Sequence, residues 1–123
     1  MSSTTTHYLG DALKVPIELA SHEDSPKIDG LYCFPDVSGA QVGIWEVEPA
    51  EWSSVGNEEV FVVLSGAGSV TFLATGEVVE LRPGAIVKLN RGERSGWLIT
   101  ERLRKVYIID PNPDEPGFES GDV

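Results

Sequence analysis

Short runs of β-branched and aromatic residues recur between residues 41 and 110, and glycine or proline ends each run. No part of this region keeps a helical period for more than about one turn, so the pattern favours strands over helices. Seven strands are predicted, at residues 41–48, 58–65, 68–74, 77–81, 85–90, 96–100 and 103–110. The segments between them have turn composition, and the glycines of residues 66–68 predict a hairpin turn. Even spacing of this many short strands predicts an all-β fold, either a closed barrel or a jelly roll.

The segments on either side of this region differ from it. Residues 15–20 and 28–34 predict two further strands, and Pro16 places the first of them at a sheet edge, because proline cannot donate a ladder hydrogen bond. Residues 111–123 are acidic and rich in proline and glycine, with little apolar surface to offset the entropy of ordering. We therefore expect one domain, with N-terminal strands in residues 1–40, a barrel in residues 41–110 and an acidic tail in residues 111–123.

Composition narrows the classes of function. The formal net charge of -11 disfavours binding to nucleic acid or to an anionic membrane surface. No apolar segment approaches the roughly 20 residues needed to span a bilayer, and residues 1–6 lack the features of a signal peptide. The single cysteine, Cys33, cannot form an intramolecular disulfide, which fits a reducing compartment. We expect a cytoplasmic protein without a nucleic-acid or membrane partner.

Two spacing patterns cross the predicted barrel. Glu59 is separated from Gly66 by six residues, and Gly84 is separated from the turn at residues 90–92 by five. This spacing resembles the two motifs of the cupin superfamily, in which Glu59 keeps the motif glutamate and the glycines keep the turn positions. The resemblance implies a double-stranded β-helix, the cupin jelly-roll barrel, as a single domain with N-terminal edge strands.

The histidines of the cupin motifs are missing from this chain. The two first-motif histidine positions fall on Trp52 and Ser54, or one position later with the shorter spacer, and the second-motif position falls on Ser95. Tryptophan cannot ligate a metal, and a serine hydroxyl is a poor ligand at neutral pH. Only Glu59 remains of the usual ligands, so we expect no cofactor and no tightly bound metal, with a weak divalent ion at Glu59 left open.

The second half of the barrel narrows the resemblance. A Gly-x-Arg-x-x-Trp segment is followed by an Arg-Lys-x-Tyr strand, and the matching residues are Gly92, Arg94, Trp97, Arg104, Lys105 and Tyr107. This pattern is similar to the histidine-poor cupins grouped with the ureidoglycine aminohydrolase domain and the ethanolamine-utilisation Q-type cupins. The resemblance implies a homodimer formed through an N-terminal edge strand. It does not carry over the aminohydrolase activity, which depends on a metal held by imidazole and carboxylate ligands.

Candidate site residues follow from strand alternation and from the aligned positions. Glu59 and Phe61 share one face of their strand, and an inward Glu59 suits a general acid or base, or an acceptor for a ligand amine. Tyr107 is the candidate acid that would act with Glu59. The predicted ligand-binding residues are Trp52, Ser54, Phe61, Ser95 and Trp97, with Arg94 near the mouth of the barrel.

Three functions remain open at this stage. The first is binding of a small polar metabolite in a barrel without tightly bound metal. The second is a metal-independent isomerase, epimerase or lyase that uses Glu59 as its base and Tyr107 as its acid. The third is a protein-interaction module with a solid barrel. An open cavity around Glu59 favours the first two, and a barrel filled by aromatic side chains favours the third.

Overall fold

A computed structural model describes residues 7–110 and shows an all-β domain. The strands are β1 (Ala20–His22), β2 (Ser25–Cys33), β3 (Gln41–Val47), β4 (Ala50–Val55), β5 (Glu59–Phe72), β6 (Glu77–Leu81), β7 (Ile86–Leu89) and β8 (Arg94–Ile109). No helix in residues 7–110 is long and apolar enough to cross a membrane. The predicted acidic tail at residues 111–123 lies outside the described residues.

The two long strands, β5 and β8, run antiparallel and are shared by both sides of the barrel. The first half of β5 pairs with the second half of β8, and β3 and β7 extend that side. The second half of β5 pairs with the first half of β8, and β4 and β6 extend the other side. The ladder is irregular between Val63 and Gly68, where β5 passes from one side to the other. This arrangement of two facing sheets is the predicted jelly roll.

The predicted break between two strands at residues 66–68 was wrong. Residues 66–68 are not a hairpin turn, because β5 continues through them and stays beside β8. Gly66 has a φ of 96°, and a Cβ atom added to it would lie 2.2 Å from the carbonyl oxygen of Arg102. Glycine is therefore required at this bend by backbone conformation and by close packing, not by a reversal of the chain.

The N-terminal segment also differs from the prediction. Residues 15–19 do not form a strand, and the short edge strand begins only at Ala20. Arg104 holds this segment on the outer face of the sheet, because its guanidinium donates hydrogen bonds to the carbonyl oxygens of Ala12 (2.8 Å) and Val15 (3.0 Å). Glu46 accepts a further bond from Arg104 at 2.7 Å and also binds Arg102. This region is held by charge-assisted hydrogen bonds to side chains rather than by strand pairing.

The core lies between the two sheets. Its buried apolar side chains come from alternate positions of β3, β5 and β8, with further residues from β6 and β7. Charged side chains also point into this space, which makes the interior unusual.

Candidate functional site

A buried ion pair connects the two long strands inside the barrel. Glu59, the first residue of β5, and Lys105, on β8, both occupy inward positions and are both shielded from solvent. The Lys105 Nζ atom donates a hydrogen bond to Oε2 of Glu59 at 2.8 Å. Charged groups are almost never buried unless they are paired, because each loses its hydration. Pairing therefore offsets part of the desolvation cost that either charged group would have if it were buried alone.

Three aromatic rings surround the lysine ammonium. Its Nζ atom lies 4.1 Å from the ring centroid of Phe61, 4.7 Å from that of Trp45 and 5.2 Å from that of Trp97. Each of these distances is within the range of a cation–π interaction, which strengthens when the cation is removed from water. The cage stabilises positive charge at the centre of the barrel, opposite the carboxylate of Glu59.

Only one of the two carboxylate oxygens of Glu59 is hydrogen-bonded in this pair. Its Oε2 atom is bound by Lys105, whereas its buried Oε1 atom has no hydrogen-bond partner. A buried charged acceptor without a donor costs about 1–3 kcal/mol or more. Oε1 is thus an acceptor inside the barrel that a donor from a ligand or a water molecule would satisfy.

Four of the predicted ligand-binding residues form a cross-strand group. Trp52 faces Trp97 across β4 and β8, and Ser54 faces Ser95 two residues along. The rings of Trp52 and Trp97 stack with centroids 5.7 Å apart and an interplanar angle of 7°. The indole Nε1 of Trp97 donates a hydrogen bond to Oγ of Ser95 at 2.9 Å. The positions that correspond to the cupin histidines are therefore close together and on one face of the sheet.

This group continues into the cage around Lys105. Phe61 lies 5.7 Å from Trp97 between ring centroids, and Trp45 lies 6.4 Å from the same ring. Trp97 is 3% exposed, whereas Trp52 is only partly buried and carries Lys27 over its ring. The aromatic cluster thus extends from the Glu59–Lys105 pair to the protein surface at Trp52.

Tyr107 is buried beside Phe61, its neighbour on β5. Burial raises the pKa of its phenol far above the usual value of 10.0, and the nearby Cys33 and Glu59 raise it further. Its hydroxyl lies 3.9 Å from the Sγ atom of Cys33, and Gly43 makes room for it, since a Cβ atom there would lie 2.6 Å from the hydroxyl oxygen. Tyr107 therefore stays protonated across the physiological pH range, as a neutral donor.

Arg94 does not join this group. It begins β8 directly before Ser95, and strand alternation sends its exposed side chain to the opposite face from Ser95 and Trp97. The structure thus brings together Trp52, Ser54, Phe61, Ser95, Trp97, Glu59 and Tyr107, and leaves Arg94 outside. A resemblance in sequence had placed it near the mouth because the motif does not record the direction of a side chain.

Lys105 belongs to the candidate site although it was not predicted as a site residue. A signal was present, because Leu103, Lys105, Tyr107 and Ile109 alternate along one strand and the lysine falls in phase with the apolar side chains. Glu59 falls in phase with Phe61 and Val63 in the same way. When two oppositely charged residues each lie on the apolar face of their strand and the two strands are neighbours, the pattern predicts an ion pair that points into the barrel.

A second hydrogen-bonded chain reaches the cage from the surface. The indole Nε1 of Trp45 donates to Oδ2 of the buried Asp29 at 2.8 Å, and Oδ1 of Asp29 is bound by the imidazole of the half-exposed His22. This chain fixes the orientation of the Trp45 ring against Lys105. His22, one of two histidines in the sequence, therefore supports the cage from outside rather than entering it.

The residues of the site do not form a recognisable metal centre. Among residues 7–110 there is no group of three or more histidine, cysteine, aspartate or glutamate side chains arranged to hold a metal ion. At Glu59 a divalent cation would also face the ammonium of Lys105, which repels it. The donor set therefore does not fit a cupin metal.

The side chain of Glu59 is shielded from solvent. Two surface depressions, of about 290 Å³ and 460 Å³, are lined by residues other than Glu59 and Lys105. Glu59 follows the loop at residues 56–58, which is bound to the loop at residues 90–93 through hydrogen bonds from Gly56 to Glu93 (2.9 Å) and from Gly92 to Gly56 (3.0 Å). These hydrogen bonds join the two loops beside the start of β5, where Glu59 lies.

Comparison with known proteins agrees with this architecture. The EutQ protein of Clostridium difficile is 13% identical, with a TM-score of 0.66 over 79% of this chain and 81% of that chain. A protein of unknown function from Pseudomonas syringae is 20% identical, with a TM-score of 0.65 over 81% of this chain and 46% of that chain. Ectoine synthase from P. lautus is 17% identical, with a TM-score of 0.62 over 72% of this chain and 67% of that chain. These likenesses show the fold.

No protein of curated function matches the chain. The model of the EutQ-like cupin domain does match it, over residues 37–107, which contain strands β3 to β7 and nearly all of β8. The jelly roll and the family match agree, and the chain belongs to the EutQ-like cupin domain family.

Proposed function

We propose that this cupin binds a small polar metabolite inside its barrel without a metal ion. The observation that carries the proposal is the buried Oε1 atom of Glu59, which accepts no hydrogen bond while Oε2 is bound by Lys105. A ligand with an amine, amide or hydroxyl donor satisfies this acceptor. Ser54 and Ser95 supply neutral polar groups on the strand pair that carries Trp52 and Trp97, and these two rings supply an apolar wall.

Lys105 takes the role of counter-charge that a metal has in other cupins. The ammonium neutralises Glu59 at 2.8 Å and is itself held by three rings, so the carboxylate needs no further cation. No cofactor is needed for binding of this kind. We expect entry of a ligand to involve separation of the loops at residues 56–58 and 90–93, because they are hydrogen-bonded together next to the buried Glu59.

The enzyme alternative is weakened by the state of Tyr107. A general acid works best when its pKa is near the operating pH, and burial moves the pKa of Tyr107 away from neutrality. Glu59, the candidate base, already accepts a hydrogen bond from an ammonium group. The pair is therefore better suited to hold a ligand than to transfer its protons.

A second candidate function is protein interaction, and it rests on an exposed apolar patch. The outer face of the sheet presents a patch of apolar side chains on neighbouring strands, among them Ile86 (72% exposed), Ile108 (50% exposed) and Val60. We propose that this face, rather than an edge strand, is the homodimer contact, because β1, the strand beside the N-terminal segment, has only three residues. The free thiol of Cys33 fits a cytoplasmic setting.

The two candidates are separated by a ligand screen with matched variants. Small polar metabolites grouped as amines, amides and alcohols are added to the protein, and thermal stabilisation is measured. The doubly neutral variant Glu59→Gln/Lys105→Met is the test, and Glu58→Gln, in the loop directly before β5, is the control. A ligand at 100 times its Kd stabilises the fold by about 2.7 kcal/mol.

The outcomes are distinct. Stabilisation that is lost in the double variant and retained in Glu58→Gln supports binding at Glu59. A stabilising ligand that acts equally on all three proteins binds elsewhere and contradicts the proposal. If no metabolite stabilises the wild type and sedimentation shows a dimer, the interaction role accounts for the protein.

A further inference from the structure

A second unsatisfied group lies at the same end of the barrel, outside the Glu59 site. Arg91 belongs to the loop between β7 and β8, and its side chain is only 16% exposed. Its Nε and Nη2 atoms are buried and have no hydrogen-bond partner. A buried charged donor without an acceptor costs about 1–3 kcal/mol or more, so such groups are rare in a native structure.

The two unsatisfied atoms form one edge of the guanidinium group. In arginine the Nε–H bond and one Nη2–H bond point in the same direction, and together they match the two oxygens of a planar carboxylate. The opposite atom, Nη1, lies 3.7 Å from Oδ2 of Asp110, which is an ion pair but longer than a hydrogen bond. The edge that binds carboxylates in a bidentate manner is therefore the edge left unused.

The carboxylate of Glu58, which contacts the backbone of this loop, is already engaged. Glu58 accepts a hydrogen bond from the backbone N–H of Arg91 at 2.9 Å and another from Nζ of Lys88 at 2.6 Å. These contacts lower the pKa of Glu58, with the hydrogen bond from Lys88 as the largest cause. Both of its oxygens are occupied, and neither binds the guanidinium edge of Arg91.

We propose that Arg91 is a carboxylate-binding site, in which Nε and Nη2 hold the two oxygens of one carboxylate group. A singly charged planar carboxylate fits better than a phosphate dianion, because Asp110 and Glu58 lie close by and the protein carries a net charge of -11. The carboxylate has two possible sources, a free small acid or the acidic residues that follow Asp110 in the sequence. The site is separate from Glu59 and does not depend on the function proposed for it.

The direct test is an NMR titration of the full-length protein with sodium acetate, at constant ionic strength set with sodium chloride. The chain contains five arginines, so only five Nε–H signals need to be assigned. Acetate is expected to shift the Arg91 Nε–H signal in a saturable way, whereas chloride is not. The Arg82 signal, from an exposed arginine on the β6–β7 turn, serves as the internal control and stays in place.

Substitutions at Arg91 test whether acetate binds at this residue without relying on the NMR signal of the wild type. In Arg91→Lys the charge remains but the two-donor edge is lost, and we expect acetate affinity to fall about tenfold, the equivalent of one hydrogen bond. Arg91→Gln abolishes acetate-dependent thermal stabilisation, and Arg82→Gln, with the same change in net charge, leaves it as in the wild type. Because the titration uses the wild-type protein, the test stands even if Arg91→Gln does not fold.

The source of the carboxylate is resolved by one further full-length protein, in which Asp114, Glu115, Glu119 and Asp122 are changed to Asn or Gln. An acetate response in the wild type supports a free acid as the ligand. A response that appears only in the neutralised protein supports the site and assigns its natural occupant to the chain itself. If neither protein shows an acetate-specific shift at Arg91, or if Arg91→Gln responds like the wild type, the proposal is overturned.

Discussion

Removing one member of the Glu59–Lys105 pair is predicted to destabilise the fold far more than removing both. At the observed 2.8 Å the attraction between the charges is about 6 kcal/mol for an effective dielectric constant of about 20. Desolvation costs several kcal/mol for each of the two buried ions, so the pair as a whole contributes little net stability. A single substitution forfeits the attraction and leaves the other charge buried and unpaired.

The expected magnitudes follow from this balance. Glu59→Gln and Lys105→Met are each expected to lower the free energy of unfolding by about 3–5 kcal/mol. The double variant Glu59→Gln/Lys105→Met is expected to recover most of that loss, because methionine fills the aromatic cage and no charge remains inside. The coupling energy between the two positions is therefore expected to exceed about 2 kcal/mol, which is large for a double-mutant cycle.

The assay is urea unfolding, followed by tryptophan fluorescence and by circular dichroism. Trp45 and Trp97 contact the lysine, so their fluorescence reports loss of the cage together with loss of the fold. Lys88→Met is the matched control, since Lys88 forms an ion pair with Glu58 at the surface, and an exposed pair contributes little. Single variants that each lose less than about 1 kcal/mol, or a double variant whose loss equals the sum of the singles, would refute the reasoning.

Three other features of the structure lead to measurements of their own. Burial raises the pKa of Tyr107, so the stability that its protonated phenol contributes is present below pH 10.0 and is lost as the pH rises towards the folded-state pKa. When unfolding is measured over this pH range, the free energy of unfolding should fall less for Tyr107→Phe than for the wild type. Trp97→Ala is expected to cost about 3–5 kcal/mol and Trp52→Ala clearly less, as measured by urea unfolding, because only Trp97 is fully buried, and equal losses would contradict this. Ile108→Glu is expected to give a monomer in sedimentation at micromolar concentration, whereas Leu98→Glu, an exposed position on the other half of the same strand, should leave a dimer; a wild-type monomer would end the dimer proposal.

The fold was largely predictable from the sequence because strand composition and turn residues are local signals. The bounds of β3 and β6 agree closely with the predicted segments. The predictions were wrong where the same local sequence is compatible with two backbone structures. Gly66 and its neighbours are typical of a hairpin, but here they allow β5 to bend against β8, and only the pairing partner distinguishes the two cases. β4 was missed because it is short and its two consecutive serines interrupt the alternation of polar and apolar residues, although burial alternates along it.

The site was predictable in part, for a related reason. Glu59 and Ser95 could be found because a spacing motif records position along the chain. The motif does not record the direction of a side chain, so Arg94 was included although it lies on the outer face. Lys105 was overlooked as a site residue because its inward direction becomes meaningful only when β8 lies beside β5 and brings it to Glu59. Contacts between distant strands are what the sequence pattern alone does not contain.

The missing histidines and the inward lysine both bear on how the charge of Glu59 is balanced inside the barrel. A carboxylate buried in a barrel is costly unless it is paired or hydrogen-bonded, and a cation close to it offsets part of that cost. Lys105 supplies this cation at 2.8 Å, but an ammonium group in an apolar interior needs several partners. Phe61, Trp45 and Trp97 provide them as π faces, and Trp52, at an aligned histidine position, stacks against Trp97. Trp52, which cannot ligate a metal, thus packs against one wall of the cage that holds the Lys105 ammonium.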